Sequence, residues 1–334
     1  MGSILNNIIP VLIVAIVVMV IARSRRAPLW AEAYRRLGRN PLALLALAVI
    51  LLYGAVAFLD SIGWQNSRAS ARSTIIDRIF ERPPERTYSV PMATMTTGEP
   101  TPHKLIGWHL LGTDGVGDDV LYRTLKGCRT AFIIGGFTSL LVVPIALFFG
   151  LVAGYFGKWV DDGVQYTYTT LGSIPDILLI IALVLVLGKG LVNLCIALGI
   201  TSWIGLCRLI RGETLKHRDR EYVRAARALG AGSGRILLRH ILPNLIPVVI
   251  ITTTLGFSGL VLSEAILSYL GIGVPPDMGS WGNMIDAARL ELARDPIIWW
   301  NLVSASGALF VLVLAFNLLG DALRDAIDPR LRSS

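Results

Sequence analysis

The side chains able to do chemistry in this 334-residue chain are few, and their spacing does not suit it. The four histidines, His103, His109, His217 and His240, show no zinc-ligand spacing. Lys189 sits in a Gly-Lys-Gly turn without the longer glycine loop and following hydroxyl residue that cradle a triphosphate, so there is no P-loop. No G-x-S-x-G elbow is present. Cys128, Cys195 and Cys207 are odd in number and far apart, which fits neither a disulfide framework nor a metal site. Asp114, Asp118 and Asp119 cluster, but acids just ahead of a helix complement its dipole, and that reading outweighs a metal site. More informative are polar residues set where polarity is costly. Glu264, in LVLSEAILSYLG, must face a pathway, another helix or the outer interface. Asp176, directly after Pro175, has the same alternatives, and Asn317 in AFNLLGD suits a hydrogen bond between helices. The Trp299-Trp300 pair and Trp281 suit an interfacial aromatic belt.

The elements around these residues are membrane spans. With 54% hydrophobic and 16% charged residues, and a mean hydropathy of +0.62, the class is an all-α polytopic membrane protein. The formal charge of +8 comes from basic residues that bracket apolar runs, which fits membrane topology and not nucleic-acid binding. Apolar runs predict spans at Ile4–Ala22, Pro41–Leu59, Thr130–Tyr155, Val164–Leu187, Leu191–Ile210, Leu245–Leu270 and Ile297–Leu319. The first is followed, not preceded, by Arg23, Arg25 and Arg26, so it reads as an uncleaved span with the N-terminus outside. A basic amphipathic helix around LWAEAYRRLGRNP follows it on the cytoplasmic face.

Between spans, GYFGKWVDD reads as a tight turn, SWGNM as part of an external loop, and 60–127 as a long extracytoplasmic excursion without a core of its own. Arginines concentrate in the 208–239 loop and in the tail, which puts both, with the C-terminus, in the cytoplasm. The resulting divisions are 1–40, an extra span and basic helix; 41–128, a first core span and insertion; and 129–334, a core with a cytoplasmic loop at 213–244.

That loop contains DREYVRAARALGAGSGRILLRHILPNLIP, Asp219 to Pro247. Asp219 is placed to cap a first helix, whose Tyr222, Ala225, Ala226 and Leu229 fall on one apolar stripe beside Arg220, Arg224 and Arg227. Gly230 and Gly232 end it, Ser233 caps a second helix, and Pro243 stops that one. A basic amphipathic helix resting on lipid and a helix docked in another protein's groove both fit this pattern.

The wording of the loop resembles the "EAA" coupling loop of bacterial ABC-importer permeases: Arg224-Ala225-Ala226, then Gly230, then Ile241-Leu242-Pro243. AARALGA with RHILPN, and the earlier LGTDGVGDDVL, resemble the dipeptide/oligopeptide branch in particular. Arg224 stands where the family has glutamate. The resemblance implies a type I importer permease fold of six core spans plus the extra one, in a bacterial inner membrane. It implies a subunit without its own ATPase site or cofactor, with ATP and Mg held by two partner ATPases. A second, related permease and an extracytoplasmic binding protein are the other implied partners. The coupling positions carried over are Ala225, Ala226, Leu229 and Gly230, flanked by Glu221, Tyr222 and Arg224. A peptide substrate is implied, with nickel chelates or other small solutes as alternatives. A membrane scaffold docking a soluble regulator is the rival of another class.

Overall fold

The computed structural model describes residues 28–65, 72–80, 83–97 and 101–327, with single positions 7, 10–12, 15 and 19 ahead of them. Most of the predicted first span, Ile4 to Ala22, therefore lies outside the described residues. The chain divides into two compact units, 134–260 and the flanking segments 1–133 and 261–334.

In the flanking unit, α1 (Pro28–Leu37) is the basic amphipathic helix. It is followed by α2 (Pro41–Ser61). Asn40 starts α2, its side-chain oxygen accepting from the N–H groups of Leu42 and Ala43, and Pro41 takes the first turn, where no donor is needed. Twenty-one residues rise about 31 Å, enough to cross the hydrocarbon core. A short antiparallel ribbon, β1 (Gly63–Gln65) with β2 (Arg72–Thr74), and the one-and-a-half-turn α3 (Ile75–Phe80) follow.

The insertion does have a core, contrary to the sequence reading, and that core is largely polar. His109 is fully buried, with Nδ1 2.8 Å from Asp119 and Nε2 3.2 Å from Glu85. Glu85 also accepts from the N–H groups of Ile106 and Gly107. Tyr88 and Leu105 are its buried apolar members. Too little apolar surface was available for a hydrophobic core, and hydrogen bonds between buried polar groups take its place.

Next comes α4 (Val120–Phe156), a single 37-residue helix that starts ahead of the span predicted from Thr130. Asp119 caps it, accepting from the Tyr122 N–H, which agrees with the helix-terminus reading of the acids. Gly157 and Lys158 then turn the chain in the left-handed region, and KWVDD is helical instead of a turn. The predicted span 164–187 is broken: α5 (Lys158–Leu171) and α6 (Asp176–Leu187) meet at 84°. Pro175 lacks the N–H that would continue the ladder and disfavours helical geometry before it. Asp176 thus begins a helix at an exposed bend.

The chain continues through α7 (Leu191–Arg218), α8 (Glu221–Ala228), which carries most of the expected coupling positions and is labelled the coupling helix for that reason, α9 (Ser233–Ile236), a π-helical turn at Leu237–Ile241 and α10 (Leu242–Tyr269). Near the end, one segment read as loop is helical and two tryptophans read as belt residues are buried. SWGNM opens a helix, α11 (Trp281–Glu291), capped by the Ser280 hydroxyl, which accepts from the Gly282 N–H. Trp281 and Trp300, the latter at the start of α12 (Trp300–Ile327), are buried clamps, not belt residues. Their indole N–H groups donate to the carbonyls of Thr124 and Thr113, each at 2.9 Å. An indole buried with its one donor satisfied contributes packing area without a desolvation penalty. Trp299 alone of the three is well exposed.

Among the described residues five helices are long and apolar enough to cross a membrane, and six if the bent pair counts as one span.

Candidate functional site

The coupling helix is positioned by a close helix crossing that begins with two glycines. Gly150 and Gly154 lie one turn apart on α4, so both face one neighbour. A β-carbon at Gly150 would come within 2.8 Å of Ile210 and 2.9 Å of the Cys207 carbonyl. One at Gly154 would lie 2.7 Å from the Arg211 carbonyl and the Thr214 side chain. Such small-residue spacing brings two helix backbones together where dispersion is the main attraction.

Charged groups then fix the end of this crossing. Arg211 of α7 holds Asp161 of α5 through two guanidinium nitrogens, one at 2.6 Å and one closer. This fork geometry sets both distance and orientation. Arg218 reaches the terminal carbonyls of α4, donating to Gly154 at 3.3 Å and Tyr155 at 3.4 Å. Those carbonyls have no intrahelical partner, and a cation suits a helix C-terminus.

On this base sits α8. Val223 and Ala226, three residues apart, are buried in one apolar cluster with Tyr155, Val164, Tyr168, Ile210, Ile236 and Ile241. The buried side is therefore Val223–Ala226. Of the predicted stripe only Ala226 points inward; Tyr222, Ala225 and Leu229 are exposed, Leu229 at 88%. Arg227 packs its guanidinium 5.7 Å from the Tyr155 ring centroid, a cation–π contact that fastens the helix from the side. Tyr222 sits 2.7 Å from His217 Nδ1, and burial pushes its phenol up, so it remains a neutral hydrogen-bonding group.

The caps differ from the sequence reading. Arg220, in extended conformation, precedes the helix without a side-chain cap, and Asp219 instead closes α7 beside Arg218 at 3.7 Å. Gly230 ends α8 at φ 82° as expected, whereas Gly232 (φ −68°) precedes the next helix and Ser233 is its first residue. Pro243 does not stop that helix. The π turn shifts the hydrogen-bond register, the Leu242 N–H reaching back to the Leu237 carbonyl, and α10 runs on through Pro243 and Pro247. Tyr155, Asp161, Arg211 and Arg218 were not singled out in sequence; the charge pairing across 50 residues leaves no local signal.

The remaining candidates lie elsewhere. Glu264 is buried and accepts from the hydroxyls of Ser268 at 2.7 Å and Ser280 at 2.6 Å, tying the cap of α11 to α10. The interhelical alternative is the one observed. Asn317 is half-buried on α12.

Nothing in the coupling region is arranged for bond making. It is a rigidly based helix with one face free. Residues 146–333 match the family model described as "Binding-protein-dependent transport system inner membrane component". The chain is 34% identical over 304 residues to an oligopeptide transport system permease protein of Bacillus subtilis, covering 91% of this chain and 90% of the relative. A glutathione transport system permease protein of Pectobacterium atrosepticum is 34% identical, covering 93% and 94%. A putative peptide permease protein of Brucella suis is 39% identical, covering 66% and 73%.

The chain belongs to this permease family. It is a multi-span membrane component of a transport system, and the family's work is translocation, not catalysis. The permease's family match includes the whole of the coupling loop, α8 and its Gly150–Gly154 base.

Proposed function

We propose that this permease forms half of the pathway of an ATP-driven peptide importer, pairing with a related but different permease. Its α8 seats in a groove on one of two ATPases, which supply the ATP and Mg chemistry, and an extracytoplasmic binding protein delivers the peptide. The coupling loop and C-terminus face the cytoplasm, the 60–127 insertion faces outward, and six core spans follow the extra N-terminal one. Peptide as substrate is supported by the names of the similar permeases.

The observation that carries the coupling role is the two-sidedness of α8. Val223 and Ala226 are locked into the permease's own core, while Tyr222, Arg224, Ala225 and Leu229 are presented outward just before the Gly230 turn. Glu221 opens the helix on the same exposed surface. Ala226 serves by holding the helix; the contact positions are the other six. Closure of the ATPases would pull on Leu229 and Tyr222 and be transmitted through Tyr155 and the Arg211–Asp161 fork to α4, α5 and α7. Among the described residues no ion pair joins Glu221 to Arg224, and exposed Arg224 is free to meet an acidic site on the ATPase.

The test is recovery of the tagged chain in mild detergent with its partners identified. Burying one leucine contributes about 2 kcal/mol. Leu229→Ser therefore weakens ATPase binding about tenfold or more, with the permease itself intact. Retention of the ATPases by both Leu229→Ser and Gly230→Glu would overturn the docking assignment. Arg224→Glu loses coupling under this reading, and full uptake in that variant would remove the acidic-site pairing.

A further inference from the structure

The insertion between α2 and α4 contains an arm that is inside out. Residues 89–97 and 103–113 run antiparallel, with Thr113 N–H donating to the Ser89 carbonyl, Leu105 to Thr94 and Thr96 to His103. Along the second strand burial alternates. Leu105 and His109 point inward, and Ile106, Trp108 and Leu110 point outward. Met95 pairs with Lys104 in an isolated antiparallel bridge, and both are exposed, as are Ile106, Trp108 and Leu110. Ile106 is 75% and Trp108 55% exposed. The inner face carries the His109–Glu85–Asp119 cluster, and Ser89, Thr96 and Thr113 are also buried. A water-facing ribbon would have the opposite pattern.

The position of the arm tells what covers this face. The insertion that contains it runs between membrane-spanning helices, from α2 at Ser61 to α4 at Val120. The arm's base is fastened to Trp300, the first residue of the spanning helix α12, by the indole N–H on the Thr113 carbonyl. The base therefore lies at the level where a span leaves the hydrocarbon. The exposed ionised side chains among the described residues 83–113 are Arg86 and Lys104, both cationic, since Glu85 is buried. Where α2 emerges, Trp64 repeats the combination. The Arg78 guanidinium lies 4.6 Å from its ring centroid, next to exposed Ile79.

Tryptophan with aliphatic residues and a long cationic side chain is the composition of segments lying in a headgroup region. Protein interfaces share the tryptophan, methionine and arginine but are depleted in lysine, so Lys104 is the member that favours headgroups. We propose that the Met95–Ile106–Trp108–Leu110 face of the arm lies in the bilayer interface, with Lys104 and Arg86 favouring anionic headgroups. The permease then holds lipid through a surface outside its spans, whichever solute it carries.

The experiment uses the full-length chain, with whatever subunits accompany it, in nanodiscs of mixed zwitterionic and anionic lipid. Its native cysteines are buried, so Ile106→Cys and Met95→Cys can be labelled selectively with an environment-sensitive fluorophore. Each probe is expected to lose most of its emission to headgroup-nitroxide lipid and little to a water-soluble nitroxide. The effect should fall when anionic lipid is omitted or salt is raised. Adding Trp108→Glu with Lys104→Glu, both at exposed positions, should release the Met95→Cys probe to the soluble quencher. Strong quenching from water with none from lipid would overturn the proposal. So would a probe shielded from both quenchers, which would give the face to a protein partner.

Discussion

The arm at 83–113 and the coupling loop around α8 are both non-spanning segments that must hold a fixed shape, and they do it by opposite means. The coupling loop buries apolar side chains, Val223, Ala226 and Ile236, and leaves its arginines outside. The arm buries His109, Glu85 and Thr113 and leaves Ile106 and Trp108 outside. An apolar core is non-directional and tolerates small shifts, which suits a helix with the coupling role proposed above. A hydrogen-bonded core is directional and fails when one partner is lost, which suits a part that must keep a single geometry.

The comparison breaks most readily at the glycine crossing. Gly154→Leu puts a side chain where backbone already stands, at a cost of about 3 kcal/mol or more; the variant should lose thermal stability in detergent and fail to retain α8 against protease. A variant as stable as the parent would mean the crossing does not position the loop. Asp161→Asn comes next. It leaves the partly buried Arg211 guanidinium with a weaker acceptor and should cost about 2 kcal/mol, while Asp161→Ala with Arg211→Leu recovers much of the loss. Absence of that recovery would show that the two residues act separately.

His109→Gln replaces a ring with a nitrogen facing each of Asp119 and Glu85 by an amide whose only nitrogen cannot reach both sides. Loosening of about 1 kcal/mol should appear as faster exchange of the Ile106 and Gly107 amides, with exchange in α8 unchanged. The smallest effect is that of acid. Burial alone would raise the Glu85 carboxyl, but hydrogen bonds from Gly107, His109 and Ile106 outweigh it and hold the group below the usual carboxylate range. A carboxyl lowered by folding stabilises above its unfolded value, about 4.3, and that stability is lost as pH falls through the folded value. Lys126 and the Thr74 N–H likewise outweigh burial at Asp77. Exchange in the arm should therefore rise below about pH 4 before exchange in the coupling loop does.

Most spans were legible because a long apolar run has few alternatives, and Gly230 was legible because only glycine ends a helix at that φ without strain. The α5–α6 bend was not, because hydropathy runs on past Ser173 and Pro175 and a proline inside a span usually only kinks it. The buried side of α8 was misassigned because three alanines in eight residues leave little phase to read. Trp281 and Trp300 look like belt residues in any window of sequence. Their partners, Thr124 and Thr113, lie 157 and 187 residues away. The polar core of the arm was invisible for the same reason, since its members are spread from Glu85 to Asp119 among residues that read as loop.

The Trp300–Thr113 bond also sets an order of events during synthesis. The arm is made well ahead of the indole that fastens its base, which lies 187 residues further along the chain. Until then its apolar outer face and its polar inner cluster are both without their final support, and a chain truncated before α12 carries an arm with no clasp. Arrival of α12 is thus the step that completes a part made much earlier, and premature truncation should be read by the cell's proteases at the arm first.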